Sequence, residues 1–331
     1  MSANLHRDKI NTVIRNAWRK STSSRYDASI SQFLEFVITN SIPLSACLPA
    51  SESLLCAFAA SFAGSLAGKT IGNKCAAIRS WHIQNGFPYR GGRQLSYVIK
   101  GAENMRPADS HMPPRPAVSE AMLAALSSSL DLNDSFDLCV LAIATTSFWG
   151  QIRLGEILPP REKNFNTMNF PCWSDFQRPN SVGSRVLHLP CTKTGGSKGE
   201  DVIITRQLHL DPIAAIESHS KKNCHLSSDC FASYYSPSGL RLALTKRKFL
   251  ARCNSILTSH SLPAISGHCF RIGGTTFLLL AGVPPDIVKL MGRWSSDSFL
   301  RYWRSLEIIA PLYAELLSPI LRTAGLFRPS A

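Results

Sequence analysis

Four prolines fall within the thirteen residues 105–117, Met-Arg-Pro-Ala-Asp-Ser-His-Met-Pro-Pro-Arg-Pro-Ala. Proline holds φ at about −65°, lacks the amide hydrogen that a helix interior or an inner strand requires, and biases the residue before it towards extended backbone. No regular element can run through such a stretch, so the chain is expected to break there into an extended, semi-stiff linker. This divides it into an N-terminal extension (1–20), a first domain (21–104), the linker (105–117) and a second domain (118–331). At 44% apolar and 18% charged residues, both parts have the material to bury a core rather than remain basic tails.

The segment before the linker reads as helix throughout. Ser23 and Ser24 can cap a run whose apolar face is Tyr26, Ile30, Phe33, Leu34, Phe36 and Val37. A second run opens at Ser51 or Ser53 and carries Leu54, Leu55, Phe58 and Phe62; a third opens at Thr70, with Ile71, Cys75, Ile78, Trp81 and His82 at helical spacing. Lys69, Asn73 and Lys74 lie largely on another face of the third run, with Arg79 nearby. Such a face suits contact with phosphates and a DNA groove, and it equally suits a solvated surface.

After the linker, helices are expected from Ser119 and from Asp134 or Ser135, the latter leading to 148–158 and stopping at Pro159-Pro160. The period then changes. Residues 185–190 and 201–205 alternate as short strands around a Gly- and Ser-rich tip, which predicts a hairpin. From Leu210 onward the pattern is helical again, including a long basic helix near 240–257 that carries Lys246, Arg247 and Lys248. That basic segment is expected to face phosphates, with a nuclear signal as the alternative.

Charge limits the partners. The chain holds 36 Lys and Arg against 22 Asp and Glu, a formal net charge of +14, the footprint expected of a protein that meets a polyanion. Residues 1–110 carry 13 basic and 6 acidic side chains and the other 221 carry 23 and 16, so the first part is the more densely basic. No signal-peptide core or membrane-length apolar run is found, which predicts a protein of the nucleus or cytoplasm, neither secreted nor membrane-bound. The ten cysteines are scattered. Cys224, His225 and Cys230 lack a matching pair at zinc spacing, so no metal is expected.

Cleavage of a phosphodiester without a metal needs cations aimed at the oxygens of a pentacoordinate transition state, a nucleophile in line, and a proton donor for the departing 5′ oxygen. Arginine binds phosphate bidentately and stays charged. Arg153, Lys193, His268, Arg271 and Tyr302 supply those chemical types from separate segments, with Tyr302 standing 31 residues after Arg271.

At these residues the chain resembles the tyrosine recombinase (phage integrase) family. It is Cre-like and closest in wording to eukaryotic Crypton-type transposon recombinases. Arg153-Leu-Gly-Glu156 looks like the family's R-x-x-E, His268-Cys-Phe-Arg271 like its H-x-x-R, and 281–287 like the A-G-V-x-x-x-x-I that follows. Thr192-Lys193-Thr194 resembles the family's hairpin lysine, with Lys198 on the same tip as the alternative. The family's His or Trp directly after the glycine is replaced here by Arg293, with Trp294 one residue later. The yeast-type wording G-N-W-S-D makes Trp294 the expected indole at the phosphate and leaves Arg293 as the alternative.

The resemblance implies a mainly α fold with a small antiparallel β-sheet: a SAM-like helical core-binding domain and an α+β integrase-type catalytic domain, forming a C-shaped clamp on DNA. It implies recombination through a covalent 3′-phosphotyrosine on Tyr302, with Arg153 and Arg271 gripping the phosphate, Lys193 as general acid, and His268 assisting proton transfer. It also implies double-stranded DNA as partner, no cofactor, metal or nucleotide, and a tetramer that forms on DNA, with the apolar stretch 306–321 as a helix that docks on a neighbour or folds back on its own core. A type IB topoisomerase would share the chemistry, and a DNA-binding protein derived from a recombinase would keep the fold without the cleavage.

Overall fold

The computed structural model describes residues 9, 10, 12–14, 16–18, 20–111, 113, 115–296, 299 and 300. Tyr302, the stretch 306–321 and most of the N-terminal extension lie outside the described residues. The chain forms two compact units, Met1–Pro113 and Pro114–Ala331.

In the first unit, helices α1 (Lys20–Thr39), α2 (Glu52–Ala60), α3 (Gly68–Gln84) and α4 (Arg93–Asn104) surround one apolar core. The Ser51 side chain caps α2 by accepting from the Leu54 amide, as Ser and Thr do at helix starts. Phe33 and Phe58 are fully buried and meet edge to face, with ring centres 5.2 Å apart; each such burial contributes roughly 1.5–3 kcal/mol. His82 is also fully buried. Its Nε2 accepts from the Ala50 amide at 2.9 Å and its Nδ1 meets the Ile78 carbonyl at 2.8 Å, so a neutral ring satisfies both.

The second unit is built around α6 (Ser135–Trp149), which is buried on all sides from Asp137 to Trp149. Such a helix needs cover on every face, and it packs against α8 (Pro212–Asn223) and α10 (Cys269–Leu280), while α5 (Glu120–Ser129) lies against α9 (Lys246–Ser259). The buried Asp137 carboxylate receives a two-pronged bond from Arg252, at 2.8 and 2.6 Å. Two glycines set the close approach of α10: a Cβ on Gly273 would strike the Val118 carbonyl, and one on Gly274 the Phe148 carbonyl.

Strands β1 (Arg185–Leu189) and β2 (Glu200–Ile204) form the expected antiparallel hairpin, in the register Arg185↔Ile204 to Leu189↔Glu200. Leu187, Leu189, Val202 and Ile204 point into the core, the alternation that made the strands visible in sequence. A second antiparallel pair, β3 (Ser233–Tyr235) and β4 (Arg241–Ala243), stands where a helical run was expected. A turn at Ser236-Pro237-Ser238-Gly239, with Gly239 at φ 74°, joins them, and the basic helix begins only at Lys246. Two short helices complete the second unit: α7 (Leu154–Ile157), about one turn long, and α11 (Pro285–Met291), about two. Among the described residues no helix is long and apolar enough to cross a membrane.

Candidate active site

The site begins where α6 ends. Gly150 terminates the helix in a spot where a Cβ would meet the Thr146 carbonyl and the side chains of Val202 and Ile204. Gln151 then turns through a left-handed conformation at φ 49°, and the chain re-enters as Arg153, the residue that precedes α7. Arg153 donates from Nη1 to Glu156 Oε1 at 2.7 Å; their side chains are 18% and 5% exposed.

The hairpin tip approaches the same carboxylate. Thr192 is buried, its hydroxyl oxygen accepts from the Gly195 amide at 2.8 Å, and its own amide donates to the Gly196 carbonyl at 3.1 Å. This tight loop leaves the Lys193 side chain exposed and aims the Lys193 amide at Glu156 Oε1, 3.4 Å away. Lys198 is exposed as well, and its amide donates to the Gly195 carbonyl at 3.2 Å.

Helix α10 supplies the third part. His268 stands just before its first residue, and Arg271 in its first turn is fully buried. Arg271 donates from Nη1 to the Gln151 carbonyl and from Nη2 to the Gly292 carbonyl, and its guanidinium carbon lies 4.0 Å from the centre of the Trp294 ring. The indole lies so close over Gly292 that any Cβ there would collide with it. Between them, Arg293 adopts φ 58° and turns its side chain inward, where Nη2 meets Glu156 Oε2 at 3.2 Å. Trp294 and Arg293 therefore both face the site, one over Arg271 and the other on Glu156.

Charge shapes the titration of these groups. Burial pushes His268 down to about 4, and the cations Arg271, Arg115, Arg153 and Lys193 push in the same direction, so the imidazole is neutral at neutral pH. Burial alone would raise Glu156, but Arg293 and Arg153, with the bonds from Arg153 and the Lys193 amide, hold its carboxyl below the ordinary range. Burial lowers Arg293, against the pull of Glu156.

The structure thus brings Arg153, Lys193, His268, Arg271, Arg293 and Trp294 together. Of the residues expected to meet DNA, Lys69, Asn73 and Arg79 are exposed on α3, whereas Lys74 bonds to Gln32 and lies over the Phe62 ring. Lys246 and Arg247 are exposed at the start of α9, and the Lys246 chain runs across Gly267, beside His268. Lys248 is instead ion-paired to Glu162. His225 stacks on Trp173 with ring centres 4.3 Å apart, and burial pushes the Cys230 thiol up to about 12.

Two residues have contacts that the sequence did not show. Glu156, visible there only as the end of the Arg153-Leu-Gly-Glu156 motif, collects three groups. Arg115, which looked like linker, lies close enough to act on His268, because the Val118 amide bonds to the Cys269 carbonyl at 3.0 Å and pins the end of the linker to the start of α10.

No family model matches the chain and no curated protein is similar to it. Solved structures are. The Tn1549 transposon integrase in complex with transposon right end DNA aligns over 91% of this chain and 95% of its own, at 13% identity and a TM-score of 0.54. The same integrase in complex with circular intermediate DNA aligns over 82% of this chain and 86% of its own, at 15% identity and a TM-score of 0.50. The chain has the tyrosine recombinase fold.

Proposed function

We propose that this chain is a site-specific DNA recombinase or transposase that cuts and rejoins duplex DNA through a covalent 3′-phosphotyrosine. The observation that carries the reading is the meeting of Arg153, the Lys193 amide and Arg293 on a single carboxylate, the buried Glu156, beside Arg271 under the Trp294 ring. These residues come from four segments far apart in sequence. They make an anion site of the kind a phosphodiester needs.

In this reading the Tyr302 oxygen attacks the scissile phosphorus while the bond to the 5′ oxygen breaks. The phenol proton passes to His268, whose imidazole is neutral at neutral pH. Lys193 gives a proton to the 5′ oxygen, and Arg153, Arg271 and the Trp294 indole hold the phosphate. The bond energy stays in the phosphotyrosine, so the 5′ hydroxyl of a second strand can reseal it without nucleotide, cofactor or metal. The first unit serves as the core-binding domain, with Lys69, Asn73 and Arg79 on the DNA, and Lys246 and Arg247 extend the contact from the catalytic unit. Tetramers assemble on DNA through the 306–321 segment. The Gly292-Arg-Trp-Ser wording favours a eukaryotic transposon-type relative, and thus the nucleus.

Support from outside the chain comes from the shared fold and from the Tn1549 integrase complexes, which hold DNA. The test is a nicked duplex that prevents religation. The full chain should become covalently attached to it, and the Tyr302→Phe variant should not. Strand exchange between two marked duplexes separates recombination from simple relaxation by a topoisomerase.

A further inference from the structure

The turn after α11 spends its glycine in an unexpected place. A helix that ends in a left-handed residue ordinarily puts glycine there, since only glycine adopts that conformation without penalty. Here Gly292 is right-handed at φ −77°, and Arg293 takes the left-handed position at φ 58°. The glycine is needed at 292 because the Trp294 ring occupies the space of its missing side chain. An arginine is therefore held in a strained conformation, in a turn fixed by the bonds Arg293 N to Leu290 O at 2.9 Å and Trp294 N to Lys289 O at 3.1 Å. Strain of this kind persists where the surroundings impose it, often at functional sites.

The side chain shows what the strain achieves. It is only 8% exposed, and one of its nitrogens reaches Glu156. Its Nε and Nη1 have no hydrogen-bond acceptor among the described residues. Buried donors without acceptors are rare and unfavourable. Two carboxylates act on Arg293: Glu156, which is shared with Arg153, and Glu200, one oxygen of which accepts from the Thr194 hydroxyl. Arg153 repels it. An oxyanion placed between Arg153 and Arg293 would satisfy the donors and relieve that repulsion.

We infer that Arg293 is a catalytic residue, a third guanidinium that donates to a non-bridging oxygen of the scissile phosphodiester. It adds a charged donor beside the Trp294 indole, which lies over Arg271. This rests on the recombinase reading above. The charge on the phosphate oxygen grows as the tyrosine oxygen adds, so the contact strengthens in the transition state, where it accelerates cleavage.

The experiment uses the full chain and a nicked duplex whose sequence is first recovered from a random pool by binding. It compares a normal scissile phosphodiester with a methylphosphonate, in which a neutral methyl replaces one charged oxygen. On the phosphodiester, Arg293→Ala and Arg293→Gln should form adduct about 10²- to 10³-fold more slowly than the unaltered chain, while Arg293→Lys, which keeps the charge, should recover part of the rate. On the methylphosphonate the loss in Arg293→Ala should shrink by at least about tenfold, since less charge has to be met. Equal losses on both substrates would overturn the inference and leave Arg293 a structural residue, as would an unchanged rate in Arg293→Gln. Absence of any adduct from the unaltered chain on the selected DNA would overturn the recombinase reading itself, and this inference with it.

Discussion

The guanidinium of Arg271 is held by two protein carbonyls and an indole: it donates to the Gln151 and Gly292 oxygens and lies 4.0 Å from the centre of the Trp294 ring. A cation over an aromatic face gains roughly 0.5–2 kcal/mol. The arrangement ties the second arginine of the site to the turn at 292–294, so the shape of that turn controls how Arg271 is presented.

Gly292→Ala should therefore damage both stability and cleavage. Its Cβ would enter the Trp294 ring, and overpacking of this sort costs about 1–3 kcal/mol. Urea unfolding should show that loss, and adduct formation should fall with it. A variant as stable and as active as the parent would mean that the ring does not sit over Gly292.

Glu156→Ala should be among the most destabilising single changes in the second unit. The carboxylate is 5% exposed and balances Arg153 and Arg293. Removing one partner of a buried ion pair costs about 3–5 kcal/mol, because the remaining charge is left uncompensated. The folded carboxyl is held below its ordinary value, so its contribution is present above the unfolded pKa and is lost as pH falls through the folded one. Equilibrium unfolding followed from neutral to acid pH should show this loss in the parent and little of it in Glu156→Ala.

His268 should titrate at about 4, not in the usual histidine range. Between that value and about 6.5 the unfolded chain binds a proton that the folded chain excludes. Stability should thus fall as pH drops through this window, and less so in His268→Gln. An NMR titration of the imidazole checks it directly, and a midpoint near neutrality would contradict the depression by burial and four neighbouring cations.

Lys193, rather than Lys198, should be the general acid, since its amide is tied to Glu156. Lys193→Ala should lower cleavage about 10²- to 10⁴-fold, the usual range for general acid–base catalysis. A substrate with a sulfur leaving group at the 5′ position, which needs no proton, should restore most of the rate. Lys198→Ala should cleave as the parent does.

Much of this was legible in the sequence, and the exceptions have physical causes. Ser51, Ser119 and Asp134 cap helices in the structure by accepting from amides three residues on, a local interaction that sequence displays. The hairpin of β1 and β2 was visible because five-residue strands complete more than one alternation. The β3–β4 pair was not, since three residues cannot establish a period and the neighbouring basic run extends the helical pattern backwards. Glu156 stood out in the sequence only as the end of the motif that starts at Arg153, because spacing shows only local partners; its bonds to the Lys193 amide and Arg293 span 37 and 137 positions. That Arg293 turns inward onto Glu156 beside Trp294 depends on one left-handed φ angle, which no pattern of residue types reveals.

The central claim is that Tyr302 becomes covalently joined to DNA. The direct measurement is the trapping of a protein–DNA adduct on a nicked duplex of the selected sequence, followed by mass spectrometry of the attached peptide. The account predicts an adduct in the unaltered chain, linked through a 3′ phosphate to Tyr302, and none in Tyr302→Phe. No adduct in the unaltered chain, or one that persists in Tyr302→Phe, would contradict it.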